Sequence, residues 1–256
     1  MANPKVIIVL SDYGHEPTET AVPYTHFKNA GFDVAFATET GNPPACDKKM
    51  LEGITGKLLG AKKSVVDQYR TMVASEECQK PRSWTAPDFT LDDYELVMLP
   101  GGHDRAVRQV IESAPLHKLL ASYVPQTKKG GRKVLGAVCH GPLVLASAKR
   151  EDGKSLIHDF VTTALPGPFE SGIYWTTRAF LGDYYKTYGH GSENVEDLIR
   201  KELADHKTQY KTSVGPAPFV VEDPQYNYVS GRFPGDVELL SQKMVELVKS
   251  LPAATE

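Results

Sequence analysis

Cysteine is scarce in this chain: Cys46, Cys78 and Cys139 are the three in 256 residues. An odd, widely spaced set excludes a disulfide framework, and the spacing fits no structural zinc pattern. Long apolar runs are missing too, and nothing approaches the ~20 residues of a membrane span. The N-terminal run Val6 to Leu10 is too short for a signal-peptide core. The last residues, Pro252-Ala253-Ala254-Thr255-Glu256, carry no retention or peroxisomal signal. A cytoplasmic location is the expectation. An excess of one charge is also lacking, since the net charge is -3 with acids and bases interspersed. That leaves no basic stripe for nucleic acid. The densest basic stretch, Lys128-Lys129-Gly130-Gly131-Arg132-Lys133, reads as a solvated loop before a strand.

What is present is an ordinary globular composition, 41% hydrophobic and 24% charged, enough for a sizeable core. One domain over residues 1–256 is expected, with strand and helix signals alternating. Lys5 to Leu10 is a β-branched apolar run suited to a strand covered on both faces. Thr18 or Thr20 is the expected cap of a helix that Gly31 ends. Phe32 to Thr38 reads as a second strand, Tyr94 to Pro100 as a third and Lys133 to Val138 as a fourth. Residues 41–90 break the rhythm and read as an insertion or cap over a site. Within it, Val65, Val66, Tyr69, Met72 and Val73 predict a helix from about Lys62 to Ser75. A helix carrying Val107, Val110 and Ile111 is expected to bend near Pro115. Phe160 to Thr163 looks like a short strand. The aromatic stretch from Phe169 to Tyr188 reads first as core, with a pocket wall or dimer face as alternatives. Val237, Leu240, Met244, Leu247 and Leu251 make the apolar stripe of a last helix, with Asp236 as its expected N-cap. Alternation of this kind predicts an α/β fold, a mainly parallel central sheet with helices on both faces.

The window Val134-Leu135-Gly136-Ala137-Val138-Cys139-His140-Gly141-Pro142 runs a strand straight into a helix. The residue at such a junction takes a sharp turn, and small neighbours make room for it. This is a nucleophile elbow with Cys in place of Ser. A sulfur at a helix N-terminus is favoured as thiolate, and the N–H groups there can hold an oxyanion. His140 adjoins it, and Cys with His is a recurrent nucleophile–base pair. The alternative from the residues alone is a buried, inert cysteine. Gly101 and Gly102 suit a backbone that approaches a ligand and offers N–H donors, or else a plain turn. His103 reads as structural. His15, Glu16, His26 and His103 form no local metal motif, so no metal is expected.

Four segments carry a family resemblance: Ala137 to Pro142; Glu19-x-x-x-Pro23 with Phe27, Gly31-Phe32 and Glu39-Thr40-Gly41; Pro100-Gly101-Gly102-His103; and Thr162 through Glu170. On these the chain resembles the ThiJ/PfpI superfamily, most closely its chaperone-like, glutathione-independent glyoxalase III branch. The resemblance implies a flavodoxin-like, class I glutamine amidotransferase-like fold and a homodimer. It implies Cys139 as nucleophile, Glu19 beside the sulfur as proton carrier, His140 as acid/base, and Glu170 as the acid that fixes the His140 tautomer. It implies the conversion of methylglyoxal or a related 2-oxoaldehyde to a 2-hydroxy acid, D-lactate, by a hydro-lyase needing no cofactor. Two other chemistries stay open on the same elbow, isonitrile hydration and removal of early glyoxal adducts. A stress-related holding chaperone or oxidation sensor is the non-enzymatic alternative. Glutamine amidotransferases use a His and an acid two apart near the C-terminal end, and the tail here has neither at that spacing.

Overall fold

The run Val6-Ile7-Ile8-Val9 has no polar alternation, so as a strand it needs cover on both faces. In the computed structural model, which describes residues 2–51 and 61–252, it becomes β1 (Lys5–Val9) at the heart of the main sheet. The other strands are β2 (Tyr13–His15), β3 (Asp33–Thr38), β4 (Ala45–Cys46), β5 (Arg82–Ser83), β6 (Leu96–Leu99), β7 (Val134–Val138), β8 (Val220–Glu222) and β9 (Tyr228–Gly231). Their order in the main sheet is β5-β3-β1-β6-β7-β9-β8, while β2 and β4 pair apart from it. Every pair in the main sheet is parallel except β8 with β9. The β6–β7 register sets Leu99 opposite Ala137, so the segments that follow the two strands leave the sheet side by side. Loops at the carboxyl ends of parallel strands are where α/β folds hold ligands.

Helices cover both faces. α1 (Pro17–Asn29), α2 (Lys63–Val73) and α7 (Val237–Lys249) share one side, with α1 against both α2 and α7. α3 (Ala114–Tyr123), α4 (Gly141–Ser147) and α6 (Val195–Glu202) share the other, with α4 packed against α3 and α6. α5 (Gly167–Leu181) lies beside α6. One continuous core joins these layers, and it takes in Val65, Tyr69, Met72, Cys78, Trp84 and Phe89 from the 41–90 stretch. β5 adds that stretch to the sheet edge as well. Residues 52–60 lie outside the described residues. Among the described residues, no helix is long and apolar enough to cross a membrane.

Three local expectations are corrected. Glu16, not Thr18 or Thr20, caps α1: its carboxylate accepts from the Glu19 N–H at 2.7 Å. Glu16 is extended, whereas Thr18 already lies in the first turn and donates to the Glu16 carboxylate at 3.0 Å. Phe160 to Thr163 is no sheet strand, and Thr162 makes only an isolated bridge to Tyr210. Its neighbours' N–H groups are spent on side chains, Val161 on Asp223 at 2.6 Å and Thr163 on Ser230 at 3.0 Å. Asp236 precedes α7 but its side chain does not cap it. The carboxylate instead clamps the fully buried Arg232, whose guanidinium also donates to the carbonyls of Ser213, Gly215 and Ala217. The chain past residue 160 therefore supplies β8 and β9, which its loose hydrophobic pattern did not predict.

Candidate active site

Cys139 follows β7 directly and has φ 60°, the one positive φ outside glycine among the described residues. For an L-residue that conformation costs about 1–2 kcal/mol and persists only where its surroundings fix it. Here both peptide groups are anchored. The Cys139 N–H donates to Gly231 O of β9 at 3.2 Å, and its carbonyl accepts from Leu165 N at 3.3 Å. The next turn leaves no room for side chains. A Cβ on Gly141 would lie 2.0 Å from Leu99 O, and one on Gly101 would lie 2.6 Å from His140 N and 2.9 Å from Cys139 Cβ. Glycine at 101 and 141 is what allows the ends of β6 and β7 to meet behind the sulfur.

Glu19 reaches this point from the first turn of α1. It is fully buried, and its Oε2 accepts from Gly101 N–H at 2.9 Å. Its Oε1 has no protein hydrogen-bond partner among the described residues, and Gly101 lies against both groups, since a Cβ there would meet Glu19 Oε2 at 3.0 Å and Cys139 Cβ at 2.9 Å. Burial, then the neighbouring Glu16, pushes the Glu19 carboxyl well above the usual range, which favours its protonated form. Burial pushes Glu16 itself to about 7. The thiol is raised too, by burial first and by Glu19 next, so Cys139 rests as a thiol.

His140 also faces the sulfur, with Nδ1 3.3 Å from Sγ and Nε2 3.1 Å from Thr187 Oγ1. The Thr187 hydroxyl has one proton, and it donates that proton to the His103 carbonyl at 3.1 Å. Thr187 must then accept from His140 Nε2–H, which leaves the Nδ1 lone pair facing the thiol. Burial, followed by His103 and Lys186, holds the imidazole neutral, well below its ordinary pKa. A neutral base is thus aimed at a protonated nucleophile.

Glu170 does not make the contact expected of it. Thr187 takes His140 Nε2, while Glu170 accepts from Val195 N–H at 2.8 Å and pairs with Lys186 at 3.1 Å. Both ions of that pair are buried. Glu170 therefore holds the segment that carries Thr187, one residue behind the contact itself. The glycine expectation also changes. Gly101 N–H is committed to Glu19, and Gly101 O accepts from Glu16 N–H at 2.9 Å. Gly102 packs its α-carbon against the chain, where a Cβ would lie 2.4 Å from Gly14 O. His103 is buried, its ring edge-on to His140 at 5.4 Å and to Tyr185 at 4.9 Å. His15 is within 3.4 Å of the Tyr69 hydroxyl, and His26 pairs with Glu238 at 2.8 Å, so neither joins His103.

Above the sulfur opens a cavity of about 240 Å³. Its walls are Met50, Leu165, Phe169, Ile173, Phe233 and Pro234, with Cys139, His103 and Tyr185 completing them. The 41–90 stretch reaches the cavity through Met50. Its neighbours Asp47 and Lys49 both engage Tyr184, the first by a hydrogen bond and the second over the ring at 4.1 Å. Sequence reading missed Thr187 and Lys186, which sit in a loop with no periodic signal. Tyr185 lay within the aromatic stretch that was read first as core.

Comparison with known proteins places the chain in a family and a fold. The family model described as ThiJ/PfpI family-like matches residues 10–231. An uncharacterized protein of Schizosaccharomyces pombe is 31% identical over 247 residues, 96% of this chain and 84% of its own length. A glutathione-independent glyoxalase of the same yeast is 30% identical over 150 residues, 57% of this chain and 58% of its own. The crystal structure of glyoxalase III from Candida albicans superposes with a TM-score of 0.67 at 20% identity, covering 95% of this chain and 97% of that one. At that identity the likeness is one of fold.

Proposed function

The chain belongs to the ThiJ/PfpI family, and from that premise we propose that it converts a 2-oxoaldehyde to the 2-hydroxy acid without glutathione or a redox cofactor. The observation that carries this is the positive-φ Cys139 thiol 3.3 Å from His140 Nδ1, with the buried Glu19 carboxyl anchored on the adjoining Gly101.

The chemistry runs as a proton exchange around one sulfur. Sγ attacks the aldehyde carbon, C1, while its proton passes to His140 Nδ1 and Glu19 protonates the aldehyde oxygen, giving a hemithioacetal. The Glu19 carboxylate then takes the C1 hydrogen as a proton, and His140 protonates the ketone oxygen on C2, giving an enediol. Glu19 returns its proton to C2 as the C1 hydroxyl gives its own to His140, and a thioester remains. Water attacks C1 and loses a proton to Glu19, His140 protonates the departing sulfur, and the 2-hydroxy acid leaves. C1 is oxidised by the two electrons that reduce C2, and one water is added overall.

The test is lactate formation from methylglyoxal without glutathione, comparing wild type with Cys139→Ala. Turnover by the wild type alone is expected. Equal activity in the variant, or no turnover of any 2-oxoaldehyde by either protein, removes the proposal.

A further inference from the structure

We propose that the cavity over Cys139 selects 2-oxoaldehydes with a bulky apolar substituent, aryl or branched alkyl, and that the Tyr185 hydroxyl orients them by donating to the C2 ketone oxygen. This rests on the reaction proposed above and names its substrate class.

The first argument is size and lining. The cavity, about 240 Å³, far exceeds the ~10–15 Å³ that admits a single water. Methylglyoxal offers a single methyl to that space. The walls away from the sulfur come from Met50, Leu165, Phe169, Ile173, Phe233 and Pro234, with no charged side chain among them. An apolar wall gains little from a methyl and much from a ring, because hydrophobic binding follows the apolar area removed from water.

The second argument is independent. Tyr185 and His103 line the same cavity, and both are buried. The Tyr185 hydroxyl and His103 Nδ1 have no hydrogen-bond partner among the described residues. Buried polar atoms are nearly always paired, so two orphans beside one nucleophile point to a ligand that supplies the partners. A 2-oxoaldehyde attacked at C1 brings a ketone oxygen on the adjacent carbon, an acceptor for the phenol. Its apolar substituent then projects toward Phe169 and Ile173.

The test compares kcat/KM for phenylglyoxal and methylglyoxal in wild type, Ile173→Glu and Tyr185→Phe, with thermal denaturation of each. Ile173 is half-buried on the surface of α5, so a glutamate there spoils the apolar wall and leaves the core intact. The expected result is a wild-type preference for phenylglyoxal of about tenfold or more, with the ratio falling about tenfold in Ile173→Glu. Tyr185→Phe is expected to raise KM about tenfold with Tm unchanged, since that hydroxyl has no protein hydrogen bond to lose. Methylglyoxal turnover with no preference, or a ratio unmoved by Ile173→Glu, overturns the inference and leaves the reaction standing. An unchanged KM in Tyr185→Phe overturns the orienting role. Absence of turnover on both aldehydes overturns the reaction and the inference together.

Discussion

Thr187 decides which nitrogen of His140 faces the sulfur, because its one proton is already given to the His103 carbonyl. Thr187→Val removes the acceptor for Nε2–H and frees the other tautomer, which would turn an N–H toward the thiol. The expected loss in kcat/KM is about tenfold, the worth of one hydrogen bond to the base. Thr187→Ser should restore the rate, whereas a merely structural threonine would be better replaced by the isosteric valine. Steady-state kinetics on the three proteins check this, and full activity in Thr187→Val sinks it. Cys139 was legible in the sequence because an elbow needs an apolar strand, small neighbours and a helix start in one window. Glu19 was legible only through family resemblance, since an acid in a first helical turn is ordinary. Thr187 was not legible at all. Its role comes from a loop held near the carboxyl end of β7 by the buried Glu170–Lys186 pair, 3.1 Å across. Side-chain pairings of that range leave no periodic trace.

At the scale of elements, the site depends on how closely β6 and β7 leave the sheet. Gly101 is the narrowest point, between His140 N, the Cys139 Cβ and Glu19 Oε2. Gly101→Ala puts a methyl 2.6 Å from a backbone nitrogen that has no freedom to withdraw. A destabilisation of about 1–3 kcal/mol is expected, with activity reduced beyond it, because the carboxyl and the sulfur are pushed apart. Urea denaturation beside kinetics would show both, and a fully active, fully stable variant would contradict the packing described. The elements predicted from periodicity were those with a clear one- or two-sided apolar pattern: β1, β3, β6, β7, α2 and α7. β8 and β9 were not. Each is short, and Tyr228-Val229-Ser230-Gly231 mixes polar and small residues because the Ser230 hydroxyl serves Thr163 N–H. The same pairing removed Phe160 to Thr163 from the sheet, so one strand was predicted where its hydrogen-bond partner was formed.

For the whole molecule, the buried titratable groups oppose one another across the acid range. His15 and His103 are lowered by burial to about 3 and about 4. Their neutral forms favour the fold above the ordinary value of 6.5, and that stability is lost as pH falls through the folded values. Glu16 is raised from 4.5 to about 7, so its contribution is complete below 4.5 and is lost as pH rises through 7. Over the shared window the two effects partly cancel. Glu16→Gln keeps an oxygen for the α1 cap and removes one of them. Its stability should therefore climb more steeply with pH between 4.5 and 6.5 than that of the wild type. Urea midpoints measured at several pH values decide it, and identical slopes would remove Glu16 from the account. The strand order has a further consequence, set by the direction of synthesis. The N–H of Cys139 is anchored by Gly231 O, and β9 inserts between β7 and β8. A ribosome must therefore release the chain through Gly231 before the elbow can lock. Until then the nascent protein carries its thiol on an unfinished sheet edge, and the turn around Cys139 forms only after a strand some ninety residues further on has emerged.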